Sequence, residues 1–206
     1  MSTSSIQALI EARVSTNHFD PSRKLSNEQI HELVRLATLA PSAFNFQNWK
    51  FVAVTSTDTK EKLKAAAYGQ QKVADAAVTF VVCGTLAAHL ELEKNLAPAV
   101  AKGIVSQSIV DTWVNMAKSA YEDNPQLQRD EALRSASLAG MTLILAAQGM
   151  GLSSGPMIGF DPVAVSKLVG LSEREVPAML ITVGYAAPGN WPQKPRKPVA
   201  QVLRCV

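Results

Sequence analysis

Histidine and cysteine are scarce in this chain, three and two in 206 residues, and their placement removes several chemistries at once. Cys83 lies inside an apolar run and Cys205 one residue from the end, with no CxxC and no metal-like His/Cys spacing, which excludes a disulfide framework and a structural metal and points to a reducing compartment. None of His18, His31 and His89 stands beside a GxSxG elbow or in an HExxH pair, so hydrolysis by nucleophile or metal has no machinery here. A phosphate-cradling GxxxxGK[ST] loop and a GxGxxG turn are also missing, which removes a triphosphate site and a Rossmann dinucleotide site.

Charge of one sign is lacking too. Twenty basic residues face 17 acidic ones for a net charge of +3, mostly interspersed, which reads as a mixed solvated surface rather than a nucleic-acid stripe. The one local excess is Lys194, Arg196 and Lys197 near the end of the chain, a cluster suited to a small anion. Residues 1–13 lack a basic region followed by an apolar stretch, so no signal peptide is expected. The uncharged run 135–160 is diluted by serine, threonine, glutamine and glycine and cut by Pro156, which favours a buried helix followed by a loop over a membrane span. A single cytoplasmic domain covering 1–206 is the expectation, with no membrane or nucleic-acid partner.

What is present is a series of amphipathic segments. Ile6, Leu9, Ile10 and Val14 fall at helical spacing and predict a first helix ending near Arg13. Ser26 with Gln29 forms a capping box for a second helix that Pro41 stops. Residues 49–54 read as a strand, 58–67 as a helix capped by Thr57, and 76–83 as a strand covered on both faces. Residues 86–127 read as a variable helical insertion broken at Gly103 and Pro125, and 129–148 as a long buried helix. Asp161 caps a helix with Pro162 in its first position, and 178–185 is a last strand. The proline-punctuated tail 186–206 is an extended arm that wraps something. The fold class is α+β, a central mixed sheet with helices on both faces.

Three loops and the tail carry the polar groups that could hold an anionic ring-bearing cofactor. Arg13-Val14-Ser15 offers a guanidinium fork, a hydroxyl and successive amides, or is simply a helix exit with an exposed arginine. Between Pro41 and Trp49, Asn45 and Gln47 can present amide edges to a heterocycle, or the loop only bonds to itself. Gly155-Pro156-Met157-Ile158-Gly159 lets backbone approach a flat ligand closely, or is only a connection into the capped helix.

Taken in order, these segments resemble the FMN-dependent nitroreductase family over nearly the whole chain except 86–127. The match runs through Arg13-x-Ser15 with Phe19-Asp20-Pro21, then Ala40-Pro41-Ser42-x-x-Asn45-x-Gln47-x-Trp49, Gly151-Leu152 leading to Pro156-x-x-Gly159-Phe160-Asp161, Gly184-Tyr185, and Lys194-x-Arg196. The resemblance implies an intertwined homodimer with FMN at the interface. It assigns the phosphate and ribityl end to Arg13, Ser15, Lys194 and Arg196, with Val14 and Asn17 beside them, and has Pro41, Ser42, Ala43 and Asn45 reach the flavin from the partner subunit. Lys72 matches the position beside the pyrimidine edge, where a positive charge stabilises the reduced flavin, though it reads equally as a solvent-facing lysine. Gln70 is a weaker candidate, and the Pro156–Gly159 segment presents a main-chain amide to flavin N5.

The same resemblance implies ping-pong chemistry. NADH or NADPH gives hydride to N5, and a nitroaromatic or quinone then takes electrons in the same slot, with no side chain acting as acid or nucleophile. Small aldehydes or enals, malonic semialdehyde among them, are the alternative acceptors, and a flavin-storing protein without turnover is the alternative of another class. Trp113 and Tyr121 either line the acceptor pocket or simply pack. Four positions depart from the family pattern: Asn17 replaces a second basic residue, Gly69 an asparagine, Asn48 a proline, and Ile158 a glutamate.

Overall fold

The computed structural model of the chain describes residues 5–206, so the leader reading of residues 1–13 lies partly outside it. The chain begins with α1 (Ile6–Ala12), capped by Ser5, whose hydroxyl accepts from the Ala8 amide, and left at Arg13 in an extended conformation. The capping box forms at the start of α2 (Asn27–Ala37): Ser26 Oγ accepts from Gln29 N while Gln29 Oε1 accepts from Ser26 N. After β1 (Trp49–Val54), Ser56 rather than Thr57 caps α3 (Thr57–Ala66), because the Ser56 backbone is already extended there and Thr57 has entered the helix. A short α4 (Lys72–Asp75), absent from the expectation because one turn carries no period, leads into β2 (Val78–Thr85).

The 86–127 stretch is helical as expected: a 3-10 turn Ala88–Glu91, then α5 (Leu92–Ala101) and α6 (Gln107–Tyr121), separated at Gly103, which takes φ +67. Pro125 is no break. It opens α7 (Pro125–Gly149), with Asn124 Oδ1 capping the Leu127 amide, since proline in the first turn forfeits only an amide that lacks a partner there anyway. The long helix therefore starts four residues before the expected 129. Beyond it come β3 (Ser153–Met157), α8 (Pro162–Val169) with Asp161 capping two amides, and β4 (Glu175–Gly184).

The four strands are ordered β1-β2-β4-β3 and every neighbouring pair is antiparallel. The expected mixed sheet is thus corrected: a parallel component is confined to the isolated Ser15–Ser154 bridge. A continuous apolar run such as Val78-Thr79-Phe80-Val81-Val82-Cys83 reports cover on both faces and says nothing of strand direction. One face, with Val78, Phe80, Val82, Ile181 and Val183, packs on α2 and α7; the other, with Val81, Cys83 and Leu180, packs on α3 and α8. Helix α7 lies so close to the sheet that a Cβ on Gly84 would sit 2.1 Å from the Ala132 carbonyl oxygen.

The overlooked strand is β3. Its sequence, Ser-Ser-Gly-Pro-Met, has no β-branched residue, and a proline fits it because it is an edge strand whose outer side needs no ladder amide. That edge carries the Ser15 segment, so the N-terminal loop is laid beside β3 by Thr16 N donating to Ser154 O at 2.9 Å.

Candidate functional site

Where α1 ends, the chain cannot remain helical against the sheet edge. Residues 13–17 run extended along β3, and Gly155 is what permits the approach: a Cβ there would stand 2.5 Å from Thr16 O. Arg13, Val14, Ser15 and Asn17 are thereby presented on one wall of a cleft of about 240 Å³. The opposite wall is the tail, with Trp191, Pro192, Gln193, Lys194 and Arg196, and Lys72 of α4 completes the lining. Seven of the residues singled out from the sequence, drawn from positions 13 to 196, therefore meet in one place.

The electrostatics of the cleft are one-sided. No described salt bridge engages Arg13, Lys72, Lys194 or Arg196. Arg196 donates instead to the Lys194 carbonyl at 2.6 Å, and Lys194 Nζ stands 5.0 Å from the centre of the Trp191 ring. Lys72 is partly buried, and that loss of water pushes its ammonium below the usual lysine range. Its Nζ meets Asn17 Oδ1 at 3.4 Å. Asn17, at the departure from the family's second basic residue, therefore spends its carbonyl on a neighbouring cation rather than adding one.

The remaining predicted residues are distributed differently. Gly155, Pro156 and Met157 belong to β3, and Met157 is a core residue whose side chain packs among Val165, Leu180 and Leu63, so it can offer a ligand only its backbone. Ile158 is 80% exposed, and neither its main-chain N–H nor that of Gly159 has an acceptor among the described residues. Gln70 Nε2 donates to Gly159 O at 2.8 Å, which ties the 69–72 turn to the end of β3.

Pro41, Ser42, Ala43 and Asn45 do not line the cleft of their own chain. Their loop does bond to itself: Ser42 Oγ accepts from Gln47 N at 2.9 Å, and Phe44, Asn45 and Gln47 all take left-handed φ between 51° and 59°. Non-glycine residues in that region store strain of about 1–3 kcal/mol each, and here it turns Asn45 and Gln47 outward into solvent. Trp113 and Tyr121 are part of a satellite core with Phe46, Leu92 and Leu96. Tyr121 is buried, edge-on to Phe46 at 5.3 Å and stacked on His89 at 6.4 Å, so in the single subunit it packs. Trp113 is partly buried and meets Phe44 edge-on at 6.4 Å.

Sequence reasoning missed Asn190, Trp191 and Gln193. The only signal was the Gly189-Asn190 pair in the proline-rich tail, which reads as a turn and nothing more. Among the described residues no group of histidine, cysteine or carboxylate side chains could hold a metal, and no helix is long and apolar enough to cross a membrane.

Comparison with known proteins places these features. The sequence pattern of the nitroreductase family, described as "Nitroreductase family", matches residues 10–185. MhqN of Bacillus subtilis, which is named as an NAD(P)H nitroreductase, is 36% identical over 197 residues covering 95% of this chain and 96% of its own. The enone reductase of CLA biosynthesis from Lactiplantibacillus plantarum is 28% identical over 85% of this chain and 82% of its own. A protein of Exiguobacterium sibiricum, named as a nitroreductase and solved in complex with FMN, superimposes with a TM-score of 0.91 at 28% identity, covering 100% of this chain and 99% of its own.

Proposed function

The chain belongs to the nitroreductase family, and on that premise we propose that it is an FMN-dependent NAD(P)H oxidoreductase acting as a homodimer on small organic acceptors. The observation that carries this reading is the cleft in which Arg13, Ser15, Lys194 and Arg196 converge with no carboxylate partner. Three such cations and a hydroxyl match the donor set a phosphate dianion requires, and guanidinium forks grip it bidentately. The cleft therefore fits the nucleotide end of FMN.

When bound, FMN would supply N5 as the atom that takes hydride from a nicotinamide and returns reducing equivalents to an acceptor. The protein's own part is positional and electrostatic. The Lys72 charge, partly desolvated, favours an electron-rich ring system beside it, because a charge interacts more strongly where water is withdrawn. The free N–H groups of Ile158 and Gly159 supply donors at the end of β3. No residue of the cleft is a carboxylate, thiol or imidazole, and the hydroxyl and ammonium groups that line it are assigned to binding and charge.

A second copy accounts for what one chain leaves open. Ile6 and Ile10 of α1, Leu138 and Met141 of α7, and Val199, Val202 and Leu203 of the tail are large apolar side chains facing solvent in the single subunit. Covering them with a partner buries apolar area at about 25 cal/mol per Å², and the outward Asn45 and Gln47 then become available to the partner's cofactor.

Nitroaromatics and quinones are the acceptors we assign first. A conjugated carbonyl is the second reading, favoured by the exposed, apolar Ile158 where many relatives carry glutamate and by the likeness to an enone reductase. Anaerobic mixing with NADH and NADPH should bleach the flavin at a rate set by nicotinamide concentration, and reoxidation by nitroaromatics, quinones, enals and short aldehydes then ranks the acceptors. A flavin that stays oxidised with both nicotinamides would reduce the protein to a flavin carrier.

A further inference from the structure

The tail that forms one wall of the cleft has little to hold it. Between 191 and 198 it has no secondary structure, and its one described side-chain hydrogen bond to the rest of the chain is Gln193 Nε2 to Arg13 O at 3.2 Å. The attachment is made just before, at Asn190. Its Oδ1 accepts from Asn17 N at 2.7 Å and His18 N at 3.0 Å, and its Nδ2 donates to His18 O at 2.8 Å and Ala187 O at 2.9 Å. Both donors and both acceptor sites of the carboxamide are thus used, which fixes its orientation fully. The turn itself needs Gly189, whose φ is +94.

Asn190 thereby touches both walls. On one side it pins the backbone of Asn17, whose own Oδ1 meets Lys72; on the other it fixes where Lys194 and Arg196 leave the body of the protein. We infer that Asn190 is the positioning residue of the cleft, setting the tail cations opposite Arg13 and so making the site prefer a phosphorylated flavin over one without phosphate. This rests on the flavin reading given above. A cation tethered on a fixed segment acts at a far higher local concentration than one on a loose segment, so the preference depends on the clasp and not only on the charges. No other side chain in the described structure joins the tail to residues 17 and 18 in this way.

The test compares FMN with riboflavin, which has the same ring and no phosphate. The full-length chain, stripped of flavin, is titrated with each by fluorescence quenching, for the parent, Asn190→Ala, Asn190→Ser, Lys194→Ala/Arg196→Ala, and Asn190→Ala in that double variant. The inference expects the FMN-over-riboflavin preference to fall about tenfold in Asn190→Ala, the size of roughly one net hydrogen bond, with riboflavin affinity within about twofold of the parent. It also expects Asn190→Ala to be silent once Lys194 and Arg196 are gone, as two steps of one pathway must be.

An Asn190→Ala protein that keeps the parent preference, or one that loses FMN and riboflavin alike, overturns the inference and leaves the flavin site standing. So does full additivity with the double variant. Should Asn190→Ala not fold, Asn190→Ser is read by the same criteria. A parent that binds neither flavin, or binds both equally and is indifferent to Lys194→Ala/Arg196→Ala, removes the proposed function and this inference with it.

Discussion

Lys72 Nζ and Asn17 Oδ1 stand 3.4 Å apart, and this neutral oxygen is the only described hydrogen-bond partner of a partly buried ammonium. In most salt-bridged surfaces a lysine's charge is spent on a carboxylate. Here it is left available to the cleft, at a cost in solvation that shows as a lowered pKa.

Lys72→Gln is expected to make the bound flavin harder to reduce. A charge-assisted contact is worth about 1.5–3 kcal/mol, and for a two-electron couple about 30 mV corresponds to 1.4 kcal/mol, so the midpoint should fall by roughly 30–60 mV. Anaerobic reduction against a reference dye measures it; an unchanged midpoint would show that Lys72 is a bystander.

The pH dependence has a definite sign. Because burial lowers the Lys72 pKa below the ordinary lysine value of 10.5, the charge is lost at lower pH than on an exposed lysine. Nicotinamide-driven flavin reduction should therefore slow as pH rises through that lowered value, and the slowing should be absent in Lys72→Gln. For stability the direction is opposite: the unfolded chain holds this proton more tightly, so between the lowered value and 10.5 the Lys72 contribution to folding becomes more favourable as pH rises.

Gly155→Ala strikes the contact that lays the N-terminal wall on the sheet. Its Cβ would meet Thr16 O at 2.5 Å and Thr182 Oγ1 at 2.8 Å. Overpacking of this kind costs about 1–3 kcal/mol, and for a chain of this size each kcal/mol lowers Tm by roughly 2–4 °C. Calorimetry should show that loss together with weaker FMN binding; a variant with parental Tm and affinity would mean that residues 13–17 do not depend on this approach.

Cys83 is inert while the protein is folded. Burial pushes its thiol up to about 12, and the side chain has no solvent exposure. Cys205→Ser leaves Cys83 as the sole thiol, and that variant should give no reaction with a disulfide reagent at pH 8 until denaturant is added. Stoichiometric labelling of the native variant would contradict the packing around β2.

Tyr121 and Trp113 should separate cleanly. Tyr121→Ala empties a buried site between Phe46 and His89 and is expected to cost about 3–5 kcal/mol, with the flavin spectrum of the surviving folded fraction unchanged. Trp113→Ala, at a partly buried position, should cost less and should alter KM for bulky acceptors more than kcat. Equal effects of both on stability alone would assign Trp113 to packing as well.

Much of the architecture was legible in local chemistry. The Ser26/Gln29 capping box and the Asp161-Pro162 helix start follow from interactions within a few residues and stand where they were expected, and the doubly covered strand expected over 76–83 lies two residues later, at Val78–Thr85. The Ser153–Met157 strand was not legible, because Gly155 and Pro156 are chosen for what approaches them, Thr16 and solvent, and not for strand propensity. Tyr121 stayed open between pocket and packing for a related reason: an aromatic residue in an unmatched helix looks the same whether it faces a ligand or Phe46.

By itself the sequence determined most of the helical and extended segments, which residues could grip an anion, and, through the order of its motifs, the family. Only the tertiary structure decided that every strand pair is antiparallel, that Asn190 clasps the tail to residues 17 and 18, and that Arg13, Lys72, Lys194 and Arg196 share one cleft. The division is physical. Caps and periodicity are set within a few residues, whereas Asn17 and Asn190 lie 173 positions apart, and the contact between them exists only because the sheet and its helices bring both ends of the chain to the same edge.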